Sequence, residues 1–350
     1  MKICFSVQDL SLGGSNTVVH DIIMNWNGDD ELYLVSFFNN FDERYKDLLN
    51  LQNLHIVFLG KKGTIDFKFL ISLKKTINQI KPDIISSHLT CTFYLKLIGI
   101  QKGCTLYHTI HSEPVRDLPF IYRLFLRSSI KKGKIRLIGC CKYIANNAMK
   151  LYKTQCLCIN NGIDQERTTS SNKEHDKTVF LFVGRLDPIK NVSKLIDGFN
   201  SAKSNNTKLI VCGFGHEEEN IINQINKSPK KENITYTGKV NNVEELYLQS
   251  DVICLISERE GLPMTILEGL KYGLAFLVTD VGGICSAVTN MENGIVLENL
   301  SVASIASAMD TLTGNPLLLN QFKSNSLQQT CKFDAINTAK SYRDLFYENR

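Results

Sequence analysis

Two carboxylates, Glu260 and Glu268, stand eight residues apart in the segment EGLPMTILE. A carboxylate accepts hydrogen bonds from hydroxyl groups and does not compete with them as a donor. Glu260 lies in a glycine-containing turn after a predicted strand, where nothing structural demands a carboxylate. The spacing lets the two side chains reach different parts of one elongated, hydroxyl-rich ligand.

Glu268 also has a structural interpretation. Thr265 and Glu268 have the T-x-x-E spacing of a capping box, in which two side chains satisfy free backbone N–H groups at a helix start. This spacing predicts that a helix begins at Thr265. Both interpretations of Glu268 remain open at the level of the sequence.

Two cations follow another predicted strand in the segment GRLDPIKN, residues 184–191. Arg185 lies where the strand ends, and Lys190 lies near the start of the next helix. Two cations beside the positive end of a helix repel one another, and a bound diphosphate would offset that cost. The alternative is a surface position in which Asp187 is the partner of the cations.

A pair of glycines, Gly13-Gly14, precedes Ser15 between the first predicted strand and the first helix. Glycine lets a backbone approach a ligand closely, and the N-terminus of a helix offers free N–H groups to an anion. The loop lacks the G-x-G-x-x-G spacing, which argues against a dinucleotide and hydride transfer. A tight turn is the alternative. The segment Asp280-Val-Gly-Gly-Ile284 predicts a second glycine-opened loop at a strand end.

The elements that position these residues are short apolar runs that alternate with helical patterns. A helix with Val18, Val19, Ile22, Ile23 and Trp26 on one face follows the first strand. Further helices are expected at about 191–203, 216–226, 243–249, 265–272 and 301–312. The predicted strands are Ile3–Val7, Leu32–Phe38, Leu54–Leu59, Asp83–Ser87, Thr105–Thr109, Ile135–Cys140, Cys156–Ile159, Val179–Val183, Leu209–Cys212, Ile234–Tyr236, Val252–Ile256, Phe276–Thr279 and Ile295–Leu297.

The polar segment Glu166–His175 separates two sets of alternating strands and helices. Two such sets predict an α/β chain with two Rossmann-like, doubly wound parallel sheets. We expect domains at 1–165 and 166–332. Ligands of such sheets bind beyond the carboxyl ends of the strands, which points to a cleft between the two domains.

Composition narrows the class of protein. A chain of 350 residues with 43% hydrophobic and 21% charged residues is typical of a globular protein. Its apolar runs are strand-sized, and no apolar signal region follows the first residues. Eleven cysteines without a C-x-x-C pair indicate reduced core residues. We expect a cytoplasmic protein.

Charge is divided unevenly along the chain. Residues 1–165 hold 21 lysines and arginines against 13 acidic residues, whereas the remainder holds 19 against 22. The basic excess concentrates at Lys61-Lys62, at Lys74-Lys75 and from Arg116 to Arg136. A solvated basic face is one interpretation, and attraction to anionic lipid or to a phosphorylated acceptor is the other. The segments lack the interleaved aromatic residues of a nucleic-acid-binding module.

The GRxxxxKN run, the Glu260/Glu268 pair and the sequence TDVGGI together resemble the retaining GT-B glycosyltransferases of family 4. The resemblance covers the whole chain. It includes the segment Asn161–Asp164 and a terminal helix at Phe333–Tyr347. In that family the last helix crosses back, which implies that residues from about 333 to 350 pack on the first domain.

The resemblance implies a role for each matched residue. Arg185 and Lys190 would hold the diphosphate of a nucleotide-sugar, Glu260 the transferred sugar and Glu268 the ribose. His111 would lie near the transferred sugar, and a buried structural histidine is the alternative for His111 and for His88. His20 is expected to be structural. The remaining implied contacts are Gly14, Gly184, Gly261, Leu262, Pro263, Met264 and Thr265 for the donor, and Gly13, Ser15 and His88 on the acceptor side.

The resemblance also implies a mechanism: transfer with retention of configuration, without a metal and without another cofactor. The donor would be a UDP-hexose or UDP-N-acetylhexosamine, and the acceptor a lipid-linked glycan or a polysaccharide of a bacterial surface. The enzyme would then work at the inner face of the cell membrane. Two departures stand out, because Cys285-Ser286 replaces the usual Pro-Glu and no acidic residue matches a catalytic base. The alternatives are a GT-B-type nucleotide-sugar epimerase and a non-catalytic nucleotide-sugar-binding subunit.

Overall fold

The structure is a computed structural model that describes residues 1–63, 66–165, 176–240 and 242–348. Its residues divide into two units. One unit joins Met1–Asp164 to the segment that begins at Ala335, and the other comprises Gln165–Asp334. The boundary after Asp164 lies one residue before the expected one. The predicted linker Glu166–His175 lies outside the described residues.

A seven-stranded parallel sheet forms the centre of the first unit, with the strand order β3-β2-β1-β4-β5-β6-β7. Strand β1 is buried from Ile3 to Val7, because helices cover both faces of the sheet. The strands are β1 Lys2–Val7, β2 Glu31–Ser36, β3 Leu54–Phe58, β4 Ile84–His88, β5 Thr105–Ile110, β6 Ile135–Gly139 and β7 Cys156–Cys158.

Helices lie on both faces of this sheet. After β3 the chain returns to the other side of β1, so right-handed crossovers place α2, α3, α4 and α5 in one layer, opposite α1. Within the layer each helix contacts the next. The helices are α1 Gly14–Met24, α2 Phe67–Ile80, α3 Cys91–Ile98, α4 Phe120–Lys131 and α5 Lys142–Tyr152, and a 3₁₀ segment spans Glu43–Asn50.

The second unit has a six-stranded parallel sheet with the order β10-β9-β8-β11-β12-β13. Its strands are β8 Thr178–Val183, β9 Thr207–Cys212, β10 Ile234–Gly238, β11 Val252–Leu255, β12 Ala275–Thr279 and β13 Gly294–Leu297. Its helices are α6 Val192–Ser201, α7 Glu218–Asn226, α8 Glu244–Leu248, α9 Met264–Lys271, α10 Val302–Gly314 and α11 Pro316–Gln329.

The last helix, α12 (Ala335–Glu348), belongs to the first unit. The hydroxyl groups of Tyr342 and Thr109 lie 3.2 Å apart. The Phe346 ring packs between Trp26 and Tyr107, at centroid distances of 6.0 and 5.0 Å. These contacts bury one side of α12 against the core of the first unit.

All thirteen predicted strands are present, and their ends differ from the prediction by two residues or fewer. The five predicted helices of the second half agree equally well. The prediction was wrong at Trp26, because α1 ends at Met24 and Trp26 is buried in the turn that follows. In the part of the chain that the structure describes, each helix is too short or too polar to cross a bilayer.

Candidate active site

Lys190 and Glu260 form an ion pair in the second unit. Lys190 Nζ lies 2.5 Å from Glu260 Oε1, and the two side chains are only 15% and 10% exposed. The residues are 70 positions apart in the sequence, and the structure brings them together as one polar group. Because both charges have lost most of their contact with water, each depends on the other for stabilisation.

Two neighbouring loops position this pair. Lys190 ends a 3₁₀ turn that begins at Pro188 and leads into α6, and Asn191 adopts a left-handed φ of 53°. The Asn191 side-chain amide donates to the carbonyl of Ile256 at 3.2 Å. The Glu258 N–H donates to the carbonyl of Ile189 at 2.8 Å. The loop after β8 is therefore tied to the loop after β11, and these strands are neighbours in the sheet.

Arg185 lies elsewhere on the same loop, on the surface. Its side chain is 68% exposed, and Nη2 lies 2.9 Å from Asp187 Oδ2. The preceding Gly184 donates its N–H to the carbonyl of Cys212 at 3.0 Å. The expected repulsion between two cations is thus relieved within the chain, because each has its own carboxylate. In contrast to Arg185, Asp187 is only 13% exposed and also lies 3.2 Å from His216 Nδ1.

The loop after β12 packs against the backbone that carries Glu260. Gly282 has a φ of 63°, and a Cβ there would lie 2.1 Å from the Glu260 carbonyl oxygen. The Gly283 N–H donates to the carbonyl of Gly261 at 2.5 Å. Gly282 therefore has a structural reason to be glycine, which is the close contact between two backbones.

The turn between β11 and α9 contains the predicted donor contacts from Gly261 to Met264. Gly261, Leu262 and Met264 are buried, and Pro263 is half-buried. The helix begins at Met264 with Pro263 at the N-cap position. A proline side chain has no oxygen that accepts a hydrogen bond, so the helix start is free of side-chain capping from this position.

The predicted capping box is wrong. Thr265 lies inside the first turn of α9, and its hydroxyl donates to the carbonyl of Val183 at 3.3 Å. Glu268 Oε2 instead accepts a hydrogen bond from the hydroxyl of Tyr247. Tyr247 is buried and stacks on Tyr272 with ring centroids 5.3 Å apart. Because the buried hydroxyl needs an acceptor, this contact fixes the direction of the Glu268 carboxylate.

A histidine cluster lies at the carboxyl ends of β4 and β5 in the first unit. His88 Nδ1 lies 2.8 Å from His111 Nε2, so one ring donates a hydrogen bond to the other. Asp117 Oδ1 accepts from the His111 backbone N–H, and Asp117 Oδ2 lies 3.0 Å from His108 Nε2. The loop that follows β5 is held in place by these contacts.

The two facing histidines are neutral at neutral pH. Burial lowers the pKa of His111 to about 4. Burial and the adjacent His111 hold the pKa of His88 well below its usual value. His88 Nε2 also lies 3.4 Å from Ser86 Oγ, so His88 matches the buried histidine of the alternative interpretation. His111 is half-buried, and a neutral imidazole offers a sugar hydroxyl either a donor or an acceptor.

The glycine loop of the first unit leads into α1, which begins at Gly14. Gly13 and Gly14 are exposed, and Ser15 is half-buried. A Cβ at Gly13 would meet none of the described atoms within 4 Å, and its φ of 175° is open to any residue. Neither packing nor backbone conformation within the described chain requires glycine at position 13, and a ligand contact there stays a prediction.

The comparisons with protein families cover most of the chain. Residues 164–329 match the model described as glycosyl transferases group 1, and residues 12–167 match that of glycosyltransferase family 4. The chain belongs to the family 4, group 1 glycosyltransferases. The predicted family is thereby confirmed.

Relatives of this glycosyltransferase include two bacterial enzymes. The UDP-Gal:alpha-D-GlcNAc-diphosphoundecaprenol alpha-1,3-galactosyltransferase of Escherichia coli is 25% identical over 81% of this chain and 80% of its own. The Campylobacter jejuni enzyme is named GalNAc-alpha-(1->4)-GalNAc-alpha-(1->3)-diNAcBac-PP-undecaprenol alpha-1,4-N-acetyl-D-galactosaminyltransferase. It is 21% identical, and the match covers 99% of both chains.

The fold is also shared with solved structures. HepE of Anabaena, solved in complex with UDP and glucose, superposes with a TM-score of 0.84 at 16% identity. That match covers 99% of this chain and 100% of HepE. Together with the two parallel sheets, this likeness confirms the predicted GT-B fold of the glycosyltransferase.

Sequence reasoning missed two partners of the predicted site residues, Tyr247 and Asp117. Tyr247 orients Glu268, and Asp117 joins His108 to His111. His108 was visible in the H-T-I-H run, whereas Tyr247 lies on a different helix and has no motif around it. Among the described residues, groups of three or more metal-type ligands with suitable geometry are absent. Metal independence stays a prediction.

Proposed function

We propose that this glycosyltransferase moves a hexose or N-acetylhexosamine from a UDP-sugar to a lipid-linked or polysaccharide acceptor, with retention of configuration. The observation that carries the proposal is the partly buried Lys190–Glu260 ion pair, since it puts the cation proposed for the diphosphate beside the carboxylate proposed for the sugar. The choice of donor is supported by the names of the relatives, because one uses UDP-Gal and HepE binds UDP. The acceptor class is supported by the undecaprenol-linked substrates of the two bacterial relatives.

The donor contacts follow from the chemistry of each side chain. A lysine ammonium has three donors, so Lys190 keeps Glu260 and still donates to phosphate oxygens. Arg185 is exposed and exchanges Asp187 for the diphosphate. Glu260 keeps acceptor capacity for sugar hydroxyls, and Glu268, held by Tyr247, accepts from the ribose hydroxyls.

The reaction breaks the bond between the sugar C1 and the diphosphate oxygen and forms a bond from C1 to the acceptor oxygen. Arg185 and Lys190 stabilise the charge that develops on the leaving diphosphate, in place of a metal ion. The acceptor hydroxyl attacks from the face that the diphosphate leaves, and its proton passes to a diphosphate oxygen. No separate carboxylate base is needed, in keeping with the lack of a matched acidic residue. His111 supplies a neutral imidazole on the acceptor side.

We further propose that the enzyme works in the cytoplasm, at the inner face of the cell membrane, in the synthesis of a bacterial surface polysaccharide. A lipid-linked acceptor is anchored in a bilayer, so the enzyme would meet its acceptor at that surface. The basic excess of residues 1–165 supports this location.

The test is a panel of nucleotide-sugars with an undecaprenyl-diphosphate glycan as acceptor. We expect release of UDP that depends on the acceptor, full activity in excess EDTA, and an NMR spectrum of the product with the anomeric configuration of the donor. An epimerised sugar without UDP release supports the epimerase instead. Donor binding without any turnover supports the binding subunit. Loss of activity in EDTA contradicts the metal-free mechanism.

A further inference from the structure

Helix α4 exposes large apolar side chains to solvent in the first unit. Phe120, Ile121 and Leu124 are 69%, 72% and 60% exposed, and Phe125 is also exposed. Single exposed apolar residues are common on protein surfaces, but four on one helix form a patch. The patch begins at the first residue of the helix and covers its first two turns.

The inward side of α4 is already occupied. Leu126, Ser129 and Ile130 are buried, and Tyr122 stacks on Phe93 of α3 with ring centroids 3.8 Å apart. At 100° per residue these inward positions lie opposite the exposed ones. The helix therefore has one apolar side against the protein and a second apolar side that faces solvent.

Basic side chains border the solvent-facing side. Arg127 and Lys131 are exposed and lie one turn apart along its edge, whereas Arg123 is half-buried over the Phe120 ring. From Leu118 to Ile163 the sequence contains nine lysines and arginines and not one acidic residue. Long basic side chains beside apolar ones extend their charges toward a polar boundary while their stems stay on apolar surface.

Helix α2 lies in the same layer as α4, on the other side of α3, and also exposes apolar side chains. Phe67 and Ile71 are one turn apart and strongly exposed. Lys68, Lys74 and Lys75 are exposed on the same helix. Two helices of one layer, on either side of α3, thus present apolar side chains interleaved with basic ones.

We propose that this surface docks onto an anionic lipid bilayer. The docking surface consists of Phe67, Ile71, Phe120, Ile121, Leu124 and Arg127. The apolar side chains would enter the boundary between headgroups and acyl chains, and the basic residues would lie among anionic headgroups. An uncharged partner would not interact favourably with the basic side chains at the border, where acidic residues are absent from the sequence. An anionic bilayer would bind both the apolar and the basic side chains.

The docking surface begins at the end of the loop that holds the histidine cluster. Phe120 follows Asp117 by three residues, and Asp117 contacts both His108 and His111. Docking through α4 would hold this acceptor-side loop close to the membrane. The biological purpose of docking rests on the proposed function, but the contact itself is measurable without glycosyl transfer.

The experiment is co-sedimentation of the full chain with phosphatidylglycerol-containing vesicles and with pure phosphatidylcholine vesicles. We expect binding to the anionic vesicles, weakened by high salt. Ile121→Ser with Leu124→Ser, and separately Arg127→Glu with Lys131→Glu, should each weaken binding by about tenfold or more. The matched controls in the second unit are Leu317→Ser with Ile222→Ser and Lys227→Glu with Lys231→Glu, and these should bind like the unchanged chain.

Three results would overturn the docking surface: absence of binding to anionic vesicles, unchanged binding of the α4 variants, or equal losses in the controls. A fourth contradicting result would come from light scattering. If the unchanged chain is a dimer and Ile121→Ser with Leu124→Ser dissociates it, the surface is a contact between two copies of the chain. Turnover of a water-soluble acceptor should be unchanged in that variant. Vesicle binding without any sugar transfer would contradict the proposed function and leave the docking surface intact.

Discussion

The side chain of Lys190 has two roles: it pairs with Glu260 in the structure, and it is proposed to bind a diphosphate. Lys190→Ala should lower kcat/KM by about 10²-fold or more, the scale of losing one preorganised contact to developing charge. Steady-state kinetics with the identified donor measures this effect. Lys194→Ala, in the helix α6 that follows, is the matched control. Near-normal turnover of Lys190→Ala would contradict the diphosphate role.

Glu268 accepts a hydrogen bond from Tyr247 and does not cap the start of α9. This contact determines the expected effect of its substitution. Glu268→Gln removes a charged acceptor for ribose, so the affinity for UDP should fall by about tenfold or more, the scale of one hydrogen bond to a charged group. The melting temperature should change little, since α9 does not depend on Glu268 for capping. Calorimetric titration with UDP and a thermal unfolding curve separate the two effects. Unchanged affinity with a large drop in melting temperature would show that Glu268 is structural only.

At the scale of elements, His20 connects α1 to the 3₁₀ segment Glu43–Asn50. Its Nδ1 lies 2.8 Å from Asp21 Oδ1, and its Nε2 lies 3.0 Å from Asp47. Burial disfavours the charged imidazole, but the hydrogen bonds and charges of Asp21 and Asp47 outweigh burial and raise the pKa of His20. The contact is therefore strongest when the ring carries its proton.

The pH dependence of this contact has a definite sign. A raised pKa in the folded state stabilises the fold fully below the unfolded value of about 6.5, and the contribution disappears as the pH rises through the folded pKa. His20→Gln should therefore destabilise the protein more at pH 5.5 than at pH 8.5, measured by urea unfolding. In an Asp47→Asn background the same change should have a smaller effect. A pH-independent loss would refute the charged contact.

The sequence predicted strands better than helices, and the reason lies in particular residues. Each strand is a short apolar run between polar residues, as in Val252–Leu255, because helices bury both faces of a parallel sheet. Five of the described helices were not assigned: α2, α3, α4, α5 and α11. In α2 and α4, the exposed Phe67 and Ile121 obscure the one-sided apolar pattern that indicates a helix.

The candidate site was predictable in its residue types but not in its contacts. The sequence predicted that Arg185, Lys190 and Glu260 lie in loops that follow strands, because glycines and charged side chains come directly after apolar runs there. The pairing of Lys190 with Glu260 across 70 residues depends on the adjacency of β8 and β11, which no local pattern encodes. The Tyr247 contact to Glu268 depends in the same way on tertiary structure.

At the scale of the whole molecule, α12 completes the core of the first unit. Phe346 is fully buried against Trp26 and Tyr107, so Phe346→Ala should cost roughly 3–5 kcal/mol of the free energy of unfolding of that unit. Trp26 is the single tryptophan of the chain, and its fluorescence reports the first unit alone. Leu317→Ala, an exposed position of the second unit, is the control. An unchanged denaturation midpoint of Trp26 fluorescence in Phe346→Ala would contradict this role.

Because α12 follows the second unit in the sequence but belongs to the first, the first unit is discontinuous, and the second unit is inserted between its two parts. During synthesis on the ribosome, the second unit has all of its residues available before the first unit does. In the nascent first unit, Trp26 and Tyr107 lack their contact with Phe346 until Phe346 has left the ribosome. Chaperone binding during translation should therefore concentrate on the first unit. Truncation before Ala335 should destabilise the first unit more than the second, although the second directly precedes the cut in the sequence.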